Sequence, residues 1–267
     1  MRLPFLPARL RSPDPRFPRL AILTPIKDVR DQAKAYFRRL RRLNFPHENI
    51  SIALLESDSR DGTHALFQAR ARRACLHFRS VRVFKRDFLY QIPEGVPKWD
   101  AHIQTQRRGV LARSRNHLLF LGLQDADWVL WLDADVIEFP SDLIERLLAF
   151  GKDIVQPHCV KEYGGPTYDT NGWSHQGTKH LHDHRGLKLV PLTAVGGTVL
   201  LVRAECHRNG LIFPPFLYGA VSPLARASNG MGKSRGEIET EGLGLMAADM
   251  NLECWGAPDL EVIHRNS

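Results

Sequence analysis

The stretch WVLWLDADVIEF, Trp128 to Phe139, decides the fold. Trp128 to Leu132 run without a polar break, and then Asp133 and Asp135 stand on either side of one alanine. A short continuous apolar run stopped by polar residues predicts a strand buried on both faces. A carboxylate at the end of such a strand costs free energy unless it is paired, hydrogen-bonded or bound to a metal. On an extended chain residues two apart point to the same side, so the two carboxylates are predicted to share a face. Two adjacent carboxylates repel, which raises the pKa of one unless a cation neutralises them. Mg²⁺ takes one or two protein carboxylates and leaves its other positions to water and substrate phosphates. Mn²⁺ suits similar oxygens and accepts imidazole more readily. The motif alone does not separate a cation site from a carboxylate pair held by backbone N–H groups or arginine.

Working outward from Trp128, the chain alternates apolar runs with helical patterns. Leu20 to Pro25 reads as a first strand, and Asp28, with Asp31 three residues on, as the N-cap of a helix through about Leu43. Ser51 to Glu56 is a second strand, and Asp58 to Thr63 a turn into a helix ending near Phe78. Val81 to Asp87 reads as a third strand, followed by an irregular stretch through Arg108 and a helix from Val110 to Leu123. Trp128 to Leu132 is then the fourth strand. Ser141 caps a short helix to Phe150, and Asp153 to Val160 is the fifth strand. Strands alternating with helices predict an α/β fold, with a mostly parallel central sheet and helices on both faces. Ligands of such sheets sit beyond the carboxyl ends of the strands. Thr24, Pro25, Asp58, Asp133 and Asp135 all fall at such ends.

The second half is less regular. Glu162 to Arg185 is a polar loop rich in Gly and His, Val195 to Val202 a strand, and Gly219 to Gly236 a Gly/Ser/Arg-rich loop. Glu241 to Met250 is a short helix and Leu260 to His264 a last strand. Long loops inside a compact domain are usually functional or disordered. Within the polar loop, His175, His180, His182 and His184 form an HxHxH-like cluster without a cysteine partner, so a solvated loop on the acceptor side is expected rather than a metal site.

The chain has 267 residues with 43% hydrophobic and 25% charged, ordinary for a globular protein able to bury a core. Its formal net charge is +8. The basic residues form no single block, and there is no RNP-type, zinc-finger or helix-turn-helix signature, so nucleic acid is not the expected partner. Anionic small molecules such as nucleotide diphosphates, or an anionic membrane touched through Arg2, Arg9 and Arg11, account for the charge equally well. Cys75, Cys159, Cys206 and Cys254 are far apart and predict buried reduced thiols. No apolar run is long enough to span a bilayer, and the N-terminus lacks a signal-peptide apolar core.

A haloacid-dehalogenase-type hydrolase also uses DxD, but on its first strand, which here ends in Thr24-Pro25. Glycosyltransferases of the GT-A architecture carry a DxD where this one stands. Further stretches join it in order: LTPIKD (Leu23 to Asp28), SDSRDGT (Ser57 to Thr63), LARSRNHLL (Leu111 to Leu119), YDTNGW (Tyr168 to Trp173), VGGTVLLV (Val195 to Val202), HRNGLIFPPF (His207 to Phe216), ETEGLGLMA (Glu239 to Ala247) and His264. The ordered set resembles the fungal mannan-polymerase-type α-mannosyltransferases of glycosyltransferase family 62, and it covers the chain from Leu20 onward.

The resemblance implies a single GT-A (Rossmann-like) domain over residues 19–267 after a basic Pro/Arg-rich arm, 1–18. Residues 19–136 would form the nucleotide-sugar-binding half and 137–267 the acceptor half. It implies that Thr24, Pro25, Asp58, Arg113, Arg115, Asn116 and Asp133 bind the donor, and that Asp133, Asp135 and His264 hold Mn²⁺ or Mg²⁺. Within that set Asp135 is expected as the direct ligand, and Asp133 as the donor-side or water-mediated contact. Tyr168, Asp169, Asn171, Trp173, Gly196 and Gly197 are expected on the acceptor side, and Glu239, Glu241 and Asp135 in catalysis. Apart from the resemblance, Arg113 and Arg115 read equally as surface charges on a helix, Glu241 as a helix N-terminal carboxylate, Gly196-Gly197 as a close-packing device, and Trp128 and Trp131 as core.

The implied reaction is transfer of mannose from GDP-mannose, with retention, to a glycan or lipid-linked sugar acceptor. A UDP-sugar donor and a non-catalytic nucleotide-sugar-binding scaffold subunit are the alternatives. The sequence departs from the family pattern in lacking an N-terminal anchor and stem. It also has Thr193-Ala194 where an acidic residue and glycine are expected, and a basic insertion at about Ser222 to Gly236. These departures predict a cytoplasmic, bacterial-type member, peripheral at a membrane.

Overall fold

The computed structural model describes residues 12–97, 100–226 and 235–265. Most of the N-terminal arm, with Arg2, Arg9 and Arg11, lies outside the described residues, as does 227–234 of the basic insertion. Along the chain run β1 (Leu20–Ile26), α1 (Ala33–Leu40), β2 (Ile50–Glu56), α2 (Thr63–Ala74), β3 (Ser80–Lys85), α3 (Ala101–Gly122), β4 (Trp128–Leu132), β5 (Val136–Glu138), α4 (Leu143–Ala149) and β6 (Ile154–Val160). Then follow β7 (Trp173–Ser174), β8 (Lys179–His180), β9 (Val190–Leu192), β10 (Val199–Arg203), α5 (Ala204–Arg208), α6 (Glu239–Asp249) and β11 (Cys254–His264).

The main sheet has the order β3-β2-β1-β4-β10-β6-β11-β5, with β9 also on β11. Pairing is parallel through β3-β2-β1-β4, as the alternation predicts. Beyond β4 the sheet is mixed: β10 runs antiparallel to β4 and β6, and β11 runs parallel to β6. Period-two alternation divides the strands between two cores. Leu20, Ile22, Ile52, Leu54, Leu130 and Leu132 face α1, α2 and α4. Ala21, Leu23, Ala53, Leu55, Val129 and Trp131 face α3, α5 and α6. Helices therefore cover both faces.

The chain leaves β3 to return beside β1, so the strand order reverses between β1 and β4. A crevice opens there at the carboxyl ends, the place where open α/β sheets bind ligands. The antiparallel entry of β10 brings its preceding residues to the same edge, and Asp133 N–H donates to Thr198 O at 2.9 Å. The parallel run of β11 beside β6 ends at His264, paired with Val136.

Several local expectations are corrected. Asp28 is no N-cap: its backbone is left-handed (φ 49) and its carboxylate accepts Arg60 N–H at 2.8 Å. Asp142, not Ser141, precedes α4, without a side-chain cap. Helix α3 begins at Ala101, capped by Asp100 accepting His102 N–H at 2.8 Å. Its first turns, AHIQTQRR, carry no apolar periodicity, which is why they read as irregular.

Candidate active site

Asp133-Ala134-Asp135 is a turn rather than the continuation of β4, with Val136 N–H on Asp133 O at 3.3 Å. The extended-chain reason for the two carboxylates sharing a face therefore does not hold, although both line one cleft. Asp133 follows the parity of Trp131 and meets Arg115 on α3, Nη2 to Oδ1 at 3.2 Å. Asp135, past the turn, meets His264 at the end of β11, Nε2 to Oδ1 at 3.0 Å. Arg39 Nη2 donates to Ala134 O at 2.9 Å and Arg265 N–H to Asp135 O at 2.9 Å, which hold the turn from both sides. Tyr168 stacks flat on the His264 ring, centroids 3.7 Å apart.

Burial pushes the Asp133 carboxyl up to about 7; Arg115 opposes that rise, and the charges of Asp135 and Asp169 reinforce it. For His264, burial pulls the pKa down, but the hydrogen bond and charge of Asp135 outweigh it, and the net shift is upward. The edge thus concentrates more carboxylate than its cations offset. Hard oxygens beside an imidazole are a donor set that suits Mn²⁺ or Mg²⁺. Among the described residues no three His, Cys, Asp or Glu side chains converge on one point. Asp135 and His264 are in contact, while Asp133 is engaged by arginine.

Beside this turn lies a cleft of about 460 Å³. Its floor is Pro25 to Val29, one wall is Ser57, Asp58, Arg60 and Tyr90 to Ile92, and the other is Arg107, Val110, Leu111 and Ser114, with Asp133 to Asp135 at its end. Asp58 builds the first wall. Its backbone is left-handed (φ 56), and its carboxylate accepts Phe88 N–H at 3.1 Å and Leu89 N–H at 2.9 Å. Its carbonyl accepts Gln91 Nε2 at 2.7 Å.

The implied donor residues divide. Pro25, Asp58 and Asp133 line the cleft. Thr24 does not: it shares the parity of Ile22, and its hydroxyl is bonded to Tyr36 Oη at 2.7 Å beneath α1. Arg113 does not either; it is exposed on another side of α3, over the Phe88 ring at 5.8 Å. Residues 107, 110, 111 and 114 repeat at helical spacing and form the cleft face, which Arg113 misses. Asn116 clamps a loop, donating to Phe213 O at 2.7 Å and accepting Phe213 N–H at 2.9 Å.

Glu239 and Glu241 are sealed rather than poised. Glu239, 2% exposed and left-handed (φ 59), receives Arg115 Nε at 2.9 Å and the Thr240 hydroxyl at 3.1 Å. Glu241 receives Arg108 at 2.5 Å, Trp173 Nε1 at 2.8 Å and Arg226 at 2.8 Å. Neither lines the cleft, so the expected catalytic contact is replaced by a buried chain of alternating charge: Asp133, Arg115, Glu239, Arg108, Glu241, Arg226. Trp173 is fully buried and does not serve as a stacking surface.

Asp169 accepts from the Thr198 hydroxyl at 2.7 Å and from Asn171 N–H at 3.1 Å. A Cβ on Gly196 would fall 2.2 Å from Asp169 Oδ2, and one on Gly197 2.7 Å from Arg115 Nη2. Only glycines let the backbone approach both charged groups this closely. The histidine loop holds no metal cluster among the described residues. His182 Nδ1 bonds the Thr167 hydroxyl at 3.1 Å, which in turn bonds buried His158 Nε2 at 2.8 Å.

Sequence reasoning missed Lys27, Tyr90, Gln91, Arg107 and Ser114, all in the cleft. The Ser114 and Tyr90 hydroxyls are buried there without a protein partner among the described residues. Helical spacing from Arg107 to Ser114 was the signal available for two of them.

Residues 12–185 match the Anp1 family. The mannan polymerase complex subunit mnn9 of Schizosaccharomyces pombe is 29% identical over 288 residues, covering 92% of this chain and 79% of that protein. Among solved structures, the mannosyltransferase PcManGT of Pyrobaculum calidifontis, in complex with GDP-Man and Mn²⁺, superposes with a TM-score of 0.55 at 15% identity, over 95% of this chain and 59% of that one. GalNAc-T7 with UDP, GalNAc and Mn²⁺ gives 0.56 at 14%, over 95% of this chain and 45% of that one. The fold is the GT-A fold.

Proposed function

The chain belongs to the Anp1 family, and from that premise we propose that it is a metal-dependent glycosyltransferase that moves mannose from GDP-mannose to a glycan or lipid-linked acceptor with retention. The observation that carries the reading is the meeting of Asp133, Asp135, His264 and Arg115 at the edge of a cleft at the strand-order reversal. The donor lies in the cleft, its nucleoside toward Tyr90, Gln91 and Ser114 and its diphosphate toward Asp133 to Asp135. Asp135 and His264 would hold Mn²⁺ or Mg²⁺, with Asp133 on the donor side. When bound, the cation neutralises charge that develops on the leaving diphosphate.

Arg115 fixes Asp133 and is itself fixed by Glu239, so the donor-side carboxylate meets the substrate already oriented. With Glu239 and Glu241 sealed in ion pairs, no carboxylate is assigned as nucleophile. The acceptor hydroxyl oxygen bonds to the sugar C1 on the face the diphosphate leaves. The C1–O bond breaks with its electron pair on the phosphate, and the hydroxyl proton passes to a phosphate oxygen. Asp169, Asn171 and Tyr168 flank the acceptor approach. The relative is named as a complex subunit, which supports assembly of this chain with a partner protein.

A UDP-sugar donor is the second reading, supported by the GalNAc-T7 likeness. Turnover of GDP-mannose and UDP-hexoses, assayed by release of GDP or UDP with Mn²⁺ and with chelator, separates the two. Metal-dependent release from GDP-mannose alone supports the first reading. Release from UDP-sugars alone supports the second, and no turnover of any donor refutes both.

A further inference from the structure

Ten arginines form ion pairs with carboxylates among the described residues, Arg19 with Asp127, Arg79 with Asp125, Arg185 with Glu261 and Arg226 with Glu237 among them. One layer gathers basic residues with no carboxylate in its own stretch of sequence. Between Gln32 and His47, and again between Gly62 and Arg86, the sequence contains no Asp or Glu. Those segments hold α1 and α2, which pack side by side through Phe67, its ring 5.9 Å from Tyr36 and 6.0 Å from Phe37. Apolar residues take the inner stripe of α1, and Lys34, Arg38, Arg41 and Arg42 follow at helical spacing on its exposed side. Arg72 and Arg73 are exposed at the end of α2. None of these six forms an ion pair or side-chain hydrogen bond with the described residues.

At the end of this layer where Lys34 stands, the carboxylates Asp31 and Asp61 border the same hollow, and both are already claimed: Asp61 by Arg30 N–H and Thr63, Asp31 by Arg265. The basic face is therefore bounded and lies outside the cleft. Uncompensated like charge on adjacent helices repels itself, and an anionic surface relieves that repulsion. The bordering residues favour a bilayer over nucleic acid. Leu76 is 69% exposed just past α2, and Phe17 is 37% exposed against Phe45, which follows α1. Buried Asn49 holds the chain here, donating to Asp14 O at 2.9 Å and Phe17 O at 2.8 Å. Residues 1–11, outside the described residues, interleave Arg2, Arg9 and Arg11 with Leu3, Phe5, Leu6 and Leu10. Apolar side chains mixed with cations are the composition that inserts at a headgroup boundary.

We infer that the outer face of α1 and α2, through Lys34, Arg38, Arg41, Arg42, Arg72 and Arg73, docks this protein on an anionic lipid bilayer. The docking is independent of the transferase reading, since none of the six lines the cleft.

The test is co-sedimentation of the full chain with vesicles of phosphatidylcholine alone or mixed with phosphatidylserine. The wild type is expected to pellet with the mixed vesicles only, and less so as salt rises. The variant R38Q/R41Q/R42Q/R72Q/R73Q should bind roughly tenfold or more weakly with an unchanged thermal midpoint. A control, K161Q/K179Q/K188Q, removes exposed lysines elsewhere and should bind like the wild type. Deletion of residues 1–11 should weaken binding but leave the preference for phosphatidylserine. Equal pelleting with both vesicles, wild-type binding by the five-arginine variant, or complete loss on deletion of 1–11 alone overturns the inference. So does displacement from the vesicles by duplex DNA or RNA at physiological salt, which would assign the face to nucleic acid.

Discussion

Two acid–base pairs lie a few residues apart, one on each side of the Asp133–Asp135 turn. Their exposures are similar, 27% and 2% for Asp133 and Arg115 against 36% and 5% for Asp135 and His264, and they differ in what stands behind the base. Asp133 meets an arginine that is 2% exposed and tied onward to Glu239, Arg108 and Glu241. Asp135 meets a histidine, and its own side chain is 36% exposed toward the cleft. The first pair is locked: Arg115 is buried, and removing a carboxylate beside it leaves its charge undercompensated. The second can exchange its partner, because neutral imidazole and a carboxylate can both turn to a cation. Under the proposed function, similar residue types thus serve as frame on one side of the turn and as cation ligands on the other.

The largest expected effect breaks the second pair. Asp135→Ala should lower transfer by about 10²–10³-fold with little change in the urea midpoint, measured by nucleotide release and equilibrium unfolding. If stability falls as far as activity does, the contrast between ligand and frame is wrong. Breaking the buried ion pair behind Asp133 should do the reverse. Glu239→Ala leaves Arg115 buried beside a single carboxylate and should cost about 3–5 kcal/mol of unfolding free energy.

A further buried base sharpens the same contrast through pH. His207 Nδ1–H donates to Leu211 O at 2.7 Å, and Nε2 accepts from Trp131 Nε1 at 3.2 Å, so the fold holds the neutral ring. Burial pulls its pKa from 6.5 down to about 4, against the pull of the Leu211 carbonyl. The unfolded chain takes up this proton first as pH falls. The stabilisation is therefore complete above 6.5 and lost toward pH 4, about 3 kcal/mol in all. His207→Gln should flatten that part of the stability–pH curve; an unchanged slope would remove His207 from the account. Smaller still is Gly197→Ala, whose methyl meets Arg115 and Thr240 at under 3 Å, with an expected cost of about 1–3 kcal/mol. The smallest is Thr24→Val, which should cost roughly 1 kcal/mol through the lost Tyr36 bond and leave GDP affinity unchanged. Weakened GDP binding would return Thr24 to the donor site.

The parallel half of the fold was legible because β1, β2 and β4 are largely apolar runs followed by Lys27, Ser57 and Asp133. Such runs are long enough to declare burial without knowledge of their neighbours. The antiparallel half was less so. Strand β11 crosses a register shift between Ala257 and Glu261, where Pro258 interrupts the pattern, so only its last residues read as strand. In the candidate site, sequence could name Asp133, Asp135 and His264 but not their division of labour. That division arises from a turn and from a strand joining the sheet over a hundred residues later. Arg113 and Arg115 look alike in sequence, yet the helix sends one into the buried charge chain and the other to solvent. Glu239 and Glu241 stand in the same motif as a reactive pair would, and only the packing of Arg108, Arg115 and Trp173 marks them as frame.

The most direct test of the central claim is Mn²⁺ binding followed by electron paramagnetic resonance, titrated in the presence of GDP. The wild type should remove the free-Mn²⁺ signal, Asp135→Asn and His264→Ala should fail to do so at the same concentrations, and Arg113→Gln should match the wild type. Full Mn²⁺ binding by Asp135→Asn would contradict the account, because the His264 side of the turn would then not be where the cation is held.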